Sequence, residues 1–537
     1  MSLPATIPGL IARAADQFGE RTAIEAGPLR MSYRALAEAA QQAASALIAA
    51  GIQPGDRVAI WAPNRHEWIV IALGSSLAGA TLVPINTRFK AAEAGYLLEK
   101  SRARLLFTCA EFLGARYVEM LQQELGGPSG ARPVGGLKSL EQVVLFEGEA
   151  SGARTLDEFL ASRHGIAASA VLARARSVQP EDVSDILFTS GTTGRPKGVA
   201  TTHGQNIRAY HAWCTAVGLT AEDRYLIVSP FFHAFGYKAG FLACLMTGAT
   251  ILPHLVFDPA QVLERLRTES ITVLPGPPAL YQSLLANPQL LAAAGIPPLR
   301  LAVTGAAVVP LELIERMKRE LGCETVITGY GLTESCGIAT MCRAGDDLRT
   351  IAHTSGRAIE GVEVRVVDST GNVMPAGEAG EVLIRGYNVM QGYFEAPEAT
   401  REVIDRDGFL HTGDVGVLDA HGNLRITDRL KDMFIVGGFN CYPAEIERVI
   451  AGHPEVAQVA VIGIPDARLG EVGMAFVVPR AGTLTSEPHW SETLAAFCRA
   501  NLANYKVPRR YAIVPQLPLN ASGKVVKPEL RACASRL

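Results

Sequence analysis

"LFTSGTTGRPKGVA", residues 187–200, is the segment of the chain that is most informative about its fold. The segment is rich in Gly, Ser and Thr, and it includes the apolar residues Leu187 and Phe188, which with Ile186 are typical of the end of a buried strand. Residues His203 to Trp213 are predicted to form a helix. The segment is therefore predicted to be a loop between a strand and a helix, where backbone amides can point at an anion.

The composition of this loop suits a phosphate group. Small residues let the backbone approach a ligand closely, hydroxyl side chains add donors, and Lys197 adds one positive charge. The loop departs from the P-loop pattern G-x-x-x-x-G-K-[ST], because Lys197 follows Pro196 and precedes Gly198. An ordinary mobile surface loop is the alternative, but the length and order of the stretch favour phosphate binding. The predicted phosphate-binding residues are Thr189, Ser190, Gly191, Thr192, Thr193, Gly194 and Lys197.

Length and composition limit the class of protein. At 537 residues the chain is too long for one compact core, so two or more domains are expected. Apolar residues make up 48% and charged residues 19%, which is typical of a globular protein with a large interior. The formal net charge of -3 gives no basic surface, so a nucleic-acid partner is not expected.

The cysteines and the termini bear on location. Nine cysteines are scattered, without a C-x-x-C pair or a His cluster at metal-ligand spacing, and we expect free thiols in a reducing cytoplasm. Residues 1–20 have no basic region ahead of an apolar core, so no secretory signal is predicted. The ending Ser535-Arg536-Leu537 resembles a peroxisomal address, which we interpret as a chance match. We predict a cytoplasmic protein.

Strand and helix patterns alternate along the chain, which favours mainly parallel sheets covered by helices. Trp68 to Thr87 carries no charge, but its glycines, its proline and the run TLVPI favour a buried helix and strand over a membrane span. Short strands with Gly and Asp turns from Gly356 to Ile426 indicate a small barrel-like β unit. The predicted helices include Tyr33 to Ala50 and His66 to Leu77, and the predicted strands are Arg57 to Ala62, Ala80 to Ile85, Arg104 to Cys109, Tyr225 to Ser229, Thr250 to Leu252, Ile271 to Leu274, Leu301 to Thr304 and Thr325 to Thr328.

The stretch TSGTTGRPKG resembles the signature of the adenylate-forming enzymes, which include acyl- and aryl-CoA ligases, luciferases and peptide-synthetase adenylation domains. Further motifs follow in that family's order, so the resemblance covers nearly the whole chain and does not rest on one short pattern. These motifs are PFFHAFG (residues 230–236), TGAA (304–307), GYGLTES (329–335), TGD (412–414), DRLKDMFIVGG (428–438) and SGK (522–524).

The resemblance implies a fold and a division into domains. We expect an α/β protein whose large N-terminal domain, residues 1–428, has two doubly wound sheets and the small β-barrel-like unit. A small, mobile α+β C-terminal domain is expected over residues 429–537, a typical size for such a module. The oligomeric state stays open, with a homodimer among the alternatives.

The motif GYGLTES predicts part of a nucleotide site. A lone Glu in a turn is usually solvated, but Mg²⁺ takes one or two carboxylates together with phosphate oxygens, which suits Glu334 beside a triphosphate loop. The resemblance assigns Glu334 as the magnesium ligand and places Tyr330 against the adenine. The residues that it places around the nucleotide are Gly305, Ala306, Gly329, Tyr330, Gly331 and Thr333.

The motifs of the last third imply the remaining roles. A buried carboxylate can accept both ribose hydroxyls, and the resemblance gives this role to Asp414, with Arg429 contributing from the domain junction. It makes Lys524 the lysine that reaches the α-phosphate and the attacking carboxylate, where it would stabilise negative charge. It makes Lys431 the hinge pivot, with an ordinary linker as the alternative. The resemblance also brings Gly437 and Gly438 to the pantetheine arm of coenzyme A.

The motif PFFHAFG predicts part of the acid site. A histidine among aromatic residues is more often a core residue than a catalyst, but the resemblance suggests that His233 is a gate between the acyl pocket and the thiol tunnel. Lys238 and Tyr237 follow the motif, and FGYKAG can equally be the start of a helix. Small residues here leave room for a bulky or ring-bearing acid, although small residues also serve helix packing.

The expected reaction condenses a carboxylate with ATP, in the presence of Mg²⁺, to an acyl-adenylate and then transfers the acyl group to coenzyme A by domain movement.

The PFFHAFG region offers no carboxylate to pair a substrate ammonium, which disfavours an amino-acid adenylation domain. A luciferase, an aryl-acid CoA ligase and a carrier-loading adenylation enzyme remain alternatives. A non-catalytic nucleotide-binding regulator is disfavoured because Glu334 and Lys524 are both present. By similarity the chain looks most like ligases of the ring-propionate left by steroid degradation, and a medium-chain acid is the other candidate.

Overall fold

The computed structural model describes residues 3–130, 132–163, 165–189, 196–286, 288–289, 291, 295–305, 309–429, 432–436, 439–441, 443–466, 469–480, 489–502, 504–520 and 524–535. The chain divides into two compact units, Met1–Val364 with Ile384–Leu410, and Arg365–Leu383 with His411–Leu537. The domain boundary predicted at residue 428 falls inside the second unit, and it stays a prediction.

Strands and helices alternate through most of the described chain. The strands are β1 (Thr22–Ala26), β2 (Leu29–Ser32), β3 (Arg57–Trp61), β4 (Thr81–Pro84), β5 (Leu105–Thr108), β6 (Gln142–Leu145), β7 (Ala153–Thr155), β8 (Val183–Thr189), β9 (Lys197–Thr202), β10 (Arg224–Ile227), β11 (Thr250–Pro253), β12 (Val273–Pro275), β13 (Leu301–Gly305), β14 (Thr325–Tyr330), β15 (Thr340–Met341), β16 (Arg357–Ala358), β17 (Val362–Val367), β18 (Ala379–Gly386), β19 (Gly392–Tyr393), β20 (Leu410–Leu418), β21 (Leu424–Arg429), β22 (Phe434–Val436), β23 (Phe439–Cys441), β24 (Val456–Asp466), β25 (Gly470–Pro479) and β26 (Arg510–Ile513).

The α-helices are α1 (Ile7–Phe18), α2 (Tyr33–Ala49), α3 (His66–Leu77), α4 (Ala91–Ser101), α5 (Tyr117–Leu125), α6 (Leu156–Ala161), α7 (Ala168–Ser177), α8 (His203–Val217), α9 (Ala234–Gly236), α10 (Ala243–Thr247), α11 (Pro259–Thr268), α12 (Pro278–Leu285), α13 (Leu311–Glu320), α14 (Leu348–His353), α15 (Pro397–Val403), α16 (Pro443–Ala451), α17 (His489–Asn501) and α18 (Lys527–Ala534). A π-helix spans Tyr237–Leu242, and 3-10 turns span Thr333–Ser335 and Asn504–Lys506.

The first unit contains two mainly parallel sheets. One has nine strands in the order β16-β15-β14-β13-β12-β10-β11-β1-β2 and is parallel from β14 to β1. The other has eight strands in the order β19-β9-β8-β4-β3-β5-β6-β7 and is parallel from β8 to β7. The predicted α/β fold with two doubly wound sheets is confirmed, and the carboxyl ends of the parallel strands are where such sheets bind ligands.

The uncharged segment from Trp68 to Thr87 is a buried helix followed by a buried strand, as predicted. Every residue of α3 from Trp68 to Leu77 is buried, and β4 is buried along its whole length. A helix that is apolar on all sides belongs to a protein core or a membrane. Here Gly74 packs so closely on α2 that a Cβ would lie 2.6 Å from the Ala43 Cβ. In the part of the chain that the structure describes, no helix is both long enough and apolar enough to span a membrane.

The predicted phosphate loop joins two antiparallel strands, which corrects the expected strand–loop–helix arrangement. β8 pairs with β9 in an antiparallel hairpin, in which Thr189 lies opposite Lys197. The predicted helix does begin at His203, where the Thr202 hydroxyl accepts from the Gln205 N–H. The six residues of β9 were missed because a Gly and two Thr leave a run with little apolar pattern, which becomes a strand only through pairing on both sides.

The second unit has two small sheets. The predicted small β unit is a four-stranded sheet in the order β17-β18-β20-β21. The second sheet has the order β23-β22-β25-β24, with β26 parallel to β25. Helices α16 and α17 contribute Ile446 and Trp490 to one core of this unit, with Val461 and Ala475 of the long β24–β25 hairpin. The mixed α+β module predicted for the last hundred or so residues is confirmed.

Candidate active site

The two arms of the phosphate loop are fixed by the β8–β9 hairpin. Thr189 is the last residue of β8, and Lys197 is the first residue of β9. Behind them, a Cβ on Gly198 would lie 2.7 Å from the Ile186 side chain and 3.1 Å from the Phe188 ring, so glycine is required for this packing. The loop residues Ser190, Gly191, Thr192, Thr193 and Gly194 lie outside the described residues, and their phosphate-binding role stays a prediction.

One tyrosine joins two of the predicted site residues. The Nζ atom of Lys197 lies 4.9 Å from the centroid of the Tyr393 ring, which is within cation–π range. The Tyr393 hydroxyl donates to Oε1 of Glu334 at 3.0 Å, and the Met390 N–H donates to the Glu334 carbonyl oxygen at 2.8 Å. The structure therefore places the predicted phosphate lysine over the ring of Tyr393 and the predicted magnesium ligand at its hydroxyl.

Tyr393 was not among the residues predicted from the sequence. Its position depends on pairing between β19 and β9, which sets Tyr393 opposite Val199. Burial, reinforced by the neighbouring Glu334 carboxylate, raises the pKa of Tyr393, so its hydroxyl stays protonated at neutral pH and can donate to Glu334. A Gly-Tyr pair in NVMQGYFEAPEAT is too ordinary a pattern to predict this contact without the pairing of the two strands.

The hydrogen bond from Tyr393 to Glu334 has a testable consequence. We expect Tyr393→Phe to raise the Mg²⁺ concentration that supports half-maximal adenylation by about tenfold, because groups that orient a metal ligand contribute to metal affinity. The measurement is pyrophosphate release as a function of Mg²⁺ concentration. Tyr387→Phe is the matched control, since the Tyr387 hydroxyl bonds an exposed carbonyl oxygen, that of Arg208. An unchanged Mg²⁺ dependence in Tyr393→Phe would contradict a role in orienting Glu334.

The predicted nucleotide wall lies at the carboxyl ends of β13 and β14. Gly305 and Gly329 are register partners, and a Cβ on Gly305 would lie 2.7 Å from the Gly329 carbonyl oxygen. A Cβ on Gly331 would lie 2.5 Å from the backbone of Ile338. Close backbone packing therefore requires glycine at these positions, whatever they bind. The structure brings Gly305, Gly329, Tyr330, Gly331 and Thr333 to this edge of the sheet with Glu334, and Ala306 lies outside the described residues.

The two candidate residues of the PFFHAFG region have opposite surroundings. His233 is exposed at the start of α9, and its Nδ1 accepts from the Phe235 N–H at 3.1 Å. Lys238 is completely buried in the π-helix, where its Nζ lies 2.8 Å from Oδ1 of Asp185 and donates to the Thr201 hydroxyl. Lys238 is therefore a core residue, and FGYKAG is the start of a helix, which was one of its two interpretations. The gating role of His233 stays a prediction.

In the second unit, two residues assigned to the ribose lie opposite each other. Asp414 on β20 and Arg429 on β21 are register partners in the antiparallel pair. Asp414 is buried, and its N–H donates to the Thr412 hydroxyl at 3.1 Å. Asp414 and Arg429 are therefore neighbours in this strand pair, and their joint role at the ribose stays a prediction.

Lys524 is hydrogen-bonded to Asn520, close to the end of the chain. The Lys524 N–H donates to Oδ1 of Asn520 at 2.9 Å, and the Lys524 carbonyl oxygen accepts from the Asn520 N–H at 2.8 Å. Next to this pair, Leu519 and Val525 form an antiparallel bridge. The residue is exposed, as a side chain that meets a substrate must be. Lys431, Gly437 and Gly438 lie outside the described residues, so the hinge and the pantetheine contacts stay predictions.

Most of the cysteines are core residues. Eight of the nine free thiols are buried, and Cys533 is exposed. Burial raises the pKa of the Cys336 thiol, beside the GYGLTES motif, to about 12, so it is protonated and a poor nucleophile at neutral pH. Among the described residues, no three His, Cys, Asp or Glu side chains converge on one point. Magnesium usually takes one or two carboxylates together with phosphate oxygens and water, so a single carboxylate such as Glu334 suits it.

Comparisons with known proteins agree with this geometry. Residues 11–394 match the protein family described as "AMP-binding enzyme", and residues 445–524 match the family described as "AMP-binding enzyme C-terminal domain". A 3-[(3aS,4S,7aS)-7a-methyl-1,5-dioxo-octahydro-1H-inden-4-yl]propanoyl:CoA ligase of Mycobacterium tuberculosis is 50% identical over 98% of both chains.

Two solved structures share the fold along nearly their whole length. The anthranilate CoA ligase AuaEII in complex with anthranoyl-AMP superposes with a TM-score of 0.87 at 28% identity, over 100% of this chain and 98% of that one. The o-succinylbenzoate CoA synthetase MenE of Bacillus subtilis, in complex with ATP and magnesium, superposes with a TM-score of 0.78 at 28% identity, over 97% and 98%.

Proposed function

The chain belongs to the AMP-binding enzyme family, and on that basis we propose that it activates a propionate side chain carried on a fused-ring diketone and transfers it to coenzyme A. The protein is an AMP-forming acyl-CoA ligase that uses ATP, Mg²⁺ and coenzyme A. The single observation that carries the choice of acid is the 50% identity, over 98% of both chains, with the ligase of such a ring-propionate.

The reaction that we propose proceeds in two steps. A carboxylate is a poor electrophile, because its charge repels nucleophiles. One of its oxygens therefore attacks the α-phosphorus of ATP, a new P–O bond forms, and the bond to pyrophosphate breaks. The sulfur of coenzyme A then attacks the carbonyl carbon of the acyl-adenylate, AMP leaves with the C–O electron pair, and the thiol proton passes to solvent.

We assign the residues of this chain to those steps. Lys197 and the phosphate loop bind the β- and γ-phosphates, and Tyr393 holds the Glu334 carboxylate in place. Glu334 would hold Mg²⁺, which supplies charge neutralisation at the phosphates. Lys524 stabilises the negative charge that builds up at the α-phosphate during adenylation. Asp414 and Arg429 would bind the ribose.

The location that we propose is a reducing cytoplasm. Its support is the state of the cysteines, all nine of which are free thiols. Disulfides are rare in such a compartment and common in secreted proteins, so nine unpaired cysteines fit the first better than the second.

The proposed function is tested by a screen of acids with ATP, Mg²⁺ and coenzyme A, read by mass spectrometry of the thioester and by pyrophosphate release. We expect ring-propionates of the fused diketone type to give the highest kcat/KM, with aryl and medium-chain acids lower. Thioester formation with aryl or medium-chain acids alone would contradict the proposed substrate class. Pyrophosphate release without any thioester would indicate an adenylation enzyme with a different acceptor.

The hinge assignment gives a prediction of its own. We expect Lys431→Pro to lower the rate of thioester formation about tenfold and to leave adenylation nearly unchanged, because proline fixes φ at the proposed pivot while the second step needs a domain movement. Rapid-quench assays of each half-reaction separate the two rates. Equal rates of thioester formation in Lys431→Pro and wild type would place the hinge elsewhere.

A further inference from the structure

Asn64 connects the two large sheets of the first unit. It follows the end of β3 in the stretch WAPNRHEW (residues 61–68), and it is only 6% exposed. Its Nδ2 donates to the carbonyl oxygen of Ile227 at 3.1 Å and to that of Ser229 at 2.9 Å. Its Oδ1 accepts from the Phe231 N–H at 2.8 Å. β3 belongs to the eight-stranded sheet, whereas the three bonded backbone groups lie at or just after the end of β10, which belongs to the nine-stranded sheet. The Asn64 side chain therefore links the two sheets.

The segment that Asn64 holds is the one that presents His233. Residues 229–236 are tightly folded, since the His233 N–H donates to the Pro230 carbonyl oxygen at 3.0 Å. A Cβ on Gly236 would lie 2.3 Å from the carbonyl oxygens of Ser229 and Pro230, which leaves no space within the turn. A rigid turn that is fastened at its first residues has a fixed orientation, so the position of His233 depends on the asparagine amide.

The carboxamide chemistry of Asn64 matches this segment closely. Ser229 presents a carbonyl oxygen and Phe231 an N–H, and a planar amide side chain supplies a donor and an acceptor at once. The Ile227 carbonyl oxygen also accepts from the His254 N–H at 3.0 Å, so that oxygen keeps a partner without Asn64. The hydrogen bonds described for the Ser229 carbonyl oxygen and the Phe231 N–H are those to Asn64. Both groups lose these bonds when Asn64 is replaced, and a buried backbone group without a partner lowers stability.

A second contact from the same part of the chain supports the segment. Trp68 lies one helical turn beyond Asn64, in α3, and its ring centroid is 5.4 Å from that of Phe231. The same indole ring packs against Tyr237 and Phe241 of the π-helix, at 6.0 Å and 5.7 Å. Residues 64–68, which lead into α3, thus provide both a polar and an aromatic support for the PFFHAFG motif.

We propose that Asn64 is a positioning residue of the acid site, which holds residues 229–236 in the conformation that binds the acyl group. This inference rests on the proposed function, because it takes the PFFHAFG motif as part of the acyl pocket. A purely structural role would lower the amount of folded enzyme without changing how the folded enzyme binds its acid. The two roles therefore differ in their effect on KM.

The test compares Asn64→Ala, Asn64→Ser and Asn86→Ala with wild type, with initial rates measured as functions of acid and of ATP. We expect both Asn64 variants to raise the KM for the acid about tenfold while the KM for ATP stays within about twofold, since Asn64 bonds the acid segment directly and the two arms of the phosphate loop are paired with each other in the β8–β9 hairpin. Asn64→Ser is the milder change and serves where Asn64→Ala gives too little folded protein. Asn86→Ala is the matched control, because Asn86 follows the neighbouring strand β4 and its side chain accepts from the exposed Arg88 N–H.

Two results would overturn the inference. One is a lower kcat with both KM values unchanged, which indicates fewer folded molecules. The other is an equal rise in the KM values for acid and ATP, which indicates a general disturbance of the unit. Failure of the ring-propionate proposal is distinguishable from both, because it would show in wild type as turnover with a different acid, and the same comparison is then made with that acid.

Discussion

Replacement of Lys524 by alanine is expected to slow adenylation by at least about a hundredfold, because a charge aimed at the developing negative charge of a transition state contributes on this scale. Thioester formation from preformed acyl-adenylate is expected to stay within about twofold of wild type, since the proposed domain movement withdraws Lys524 from the α-phosphate before the second step. The measurement is a pair of single-turnover assays, one for pyrophosphate release and one for thioester formation. Lys524 is exposed, so its replacement by alanine opens no cavity in the core.

Lys527→Ala is the matched control for this experiment. Lys527 lies three residues further along, and its Nζ is 2.9 Å from Oε1 of Glu447, so its charge is already paired within the second unit. We expect Lys527→Ala to keep wild-type rates in both half-reactions. Equal losses in both half-reactions of Lys524→Ala, or equal losses in the two lysine variants, would refute the assignment of Lys524 to the first step alone.

The order of strands and helices could be predicted because the apolar pattern is local. The predicted strand from Arg57 to Ala62 ends one residue later than β3 does, and the predicted helix from His66 to Leu77 has the bounds of α3. Buried parallel strands are short apolar runs, and the helices between them have clear starts and ends. The error fell on β9, which has little pattern of its own and becomes a strand by pairing with β8 and β19.

The candidate site could be predicted only in part. Lys197 and Glu334 were identified from motifs, since their chemistry requires those residue types in a recognisable local order. Tyr393 and Asn64 were missed, because each acts through contacts with residues far away along the chain. A tyrosine in a Gly-Tyr pair and an asparagine after a strand are common in any sequence. Their importance is visible only when strand pairing and sheet packing have brought the partners together.

The second large effect that we expect concerns the buried ion pair between Lys238 and Asp185, behind the phosphate loop. Both side chains are almost completely inaccessible, at 1% and 0% exposure. Oδ1 of Asp185 also accepts from the Thr201 hydroxyl at 2.8 Å, and its Oδ2 accepts from Nδ2 of Asn206 at 2.6 Å and from the Ser184 hydroxyl at 2.8 Å. Asp185 is in β8 and Thr201 is in β9, so this cluster fastens both arms of the loop to the π-helix.

Lys238→Met is expected to lower the free energy of unfolding by about 3–5 kcal/mol, because it leaves the Asp185 carboxylate buried without its countercharge. The double variant Lys238→Met with Asp185→Asn is expected to regain most of this loss. It removes both charges, so no carboxylate is left buried without a countercharge. Urea unfolding followed by tryptophan fluorescence measures both variants, with Arg267→Met in an exposed pair on α11 as a control that should keep the wild-type midpoint. A double variant as unstable as Lys238→Met would show that the loss comes from the lysine's packing and not from an unpaired carboxylate, and the cluster would then not act as an electrostatic anchor for the loop.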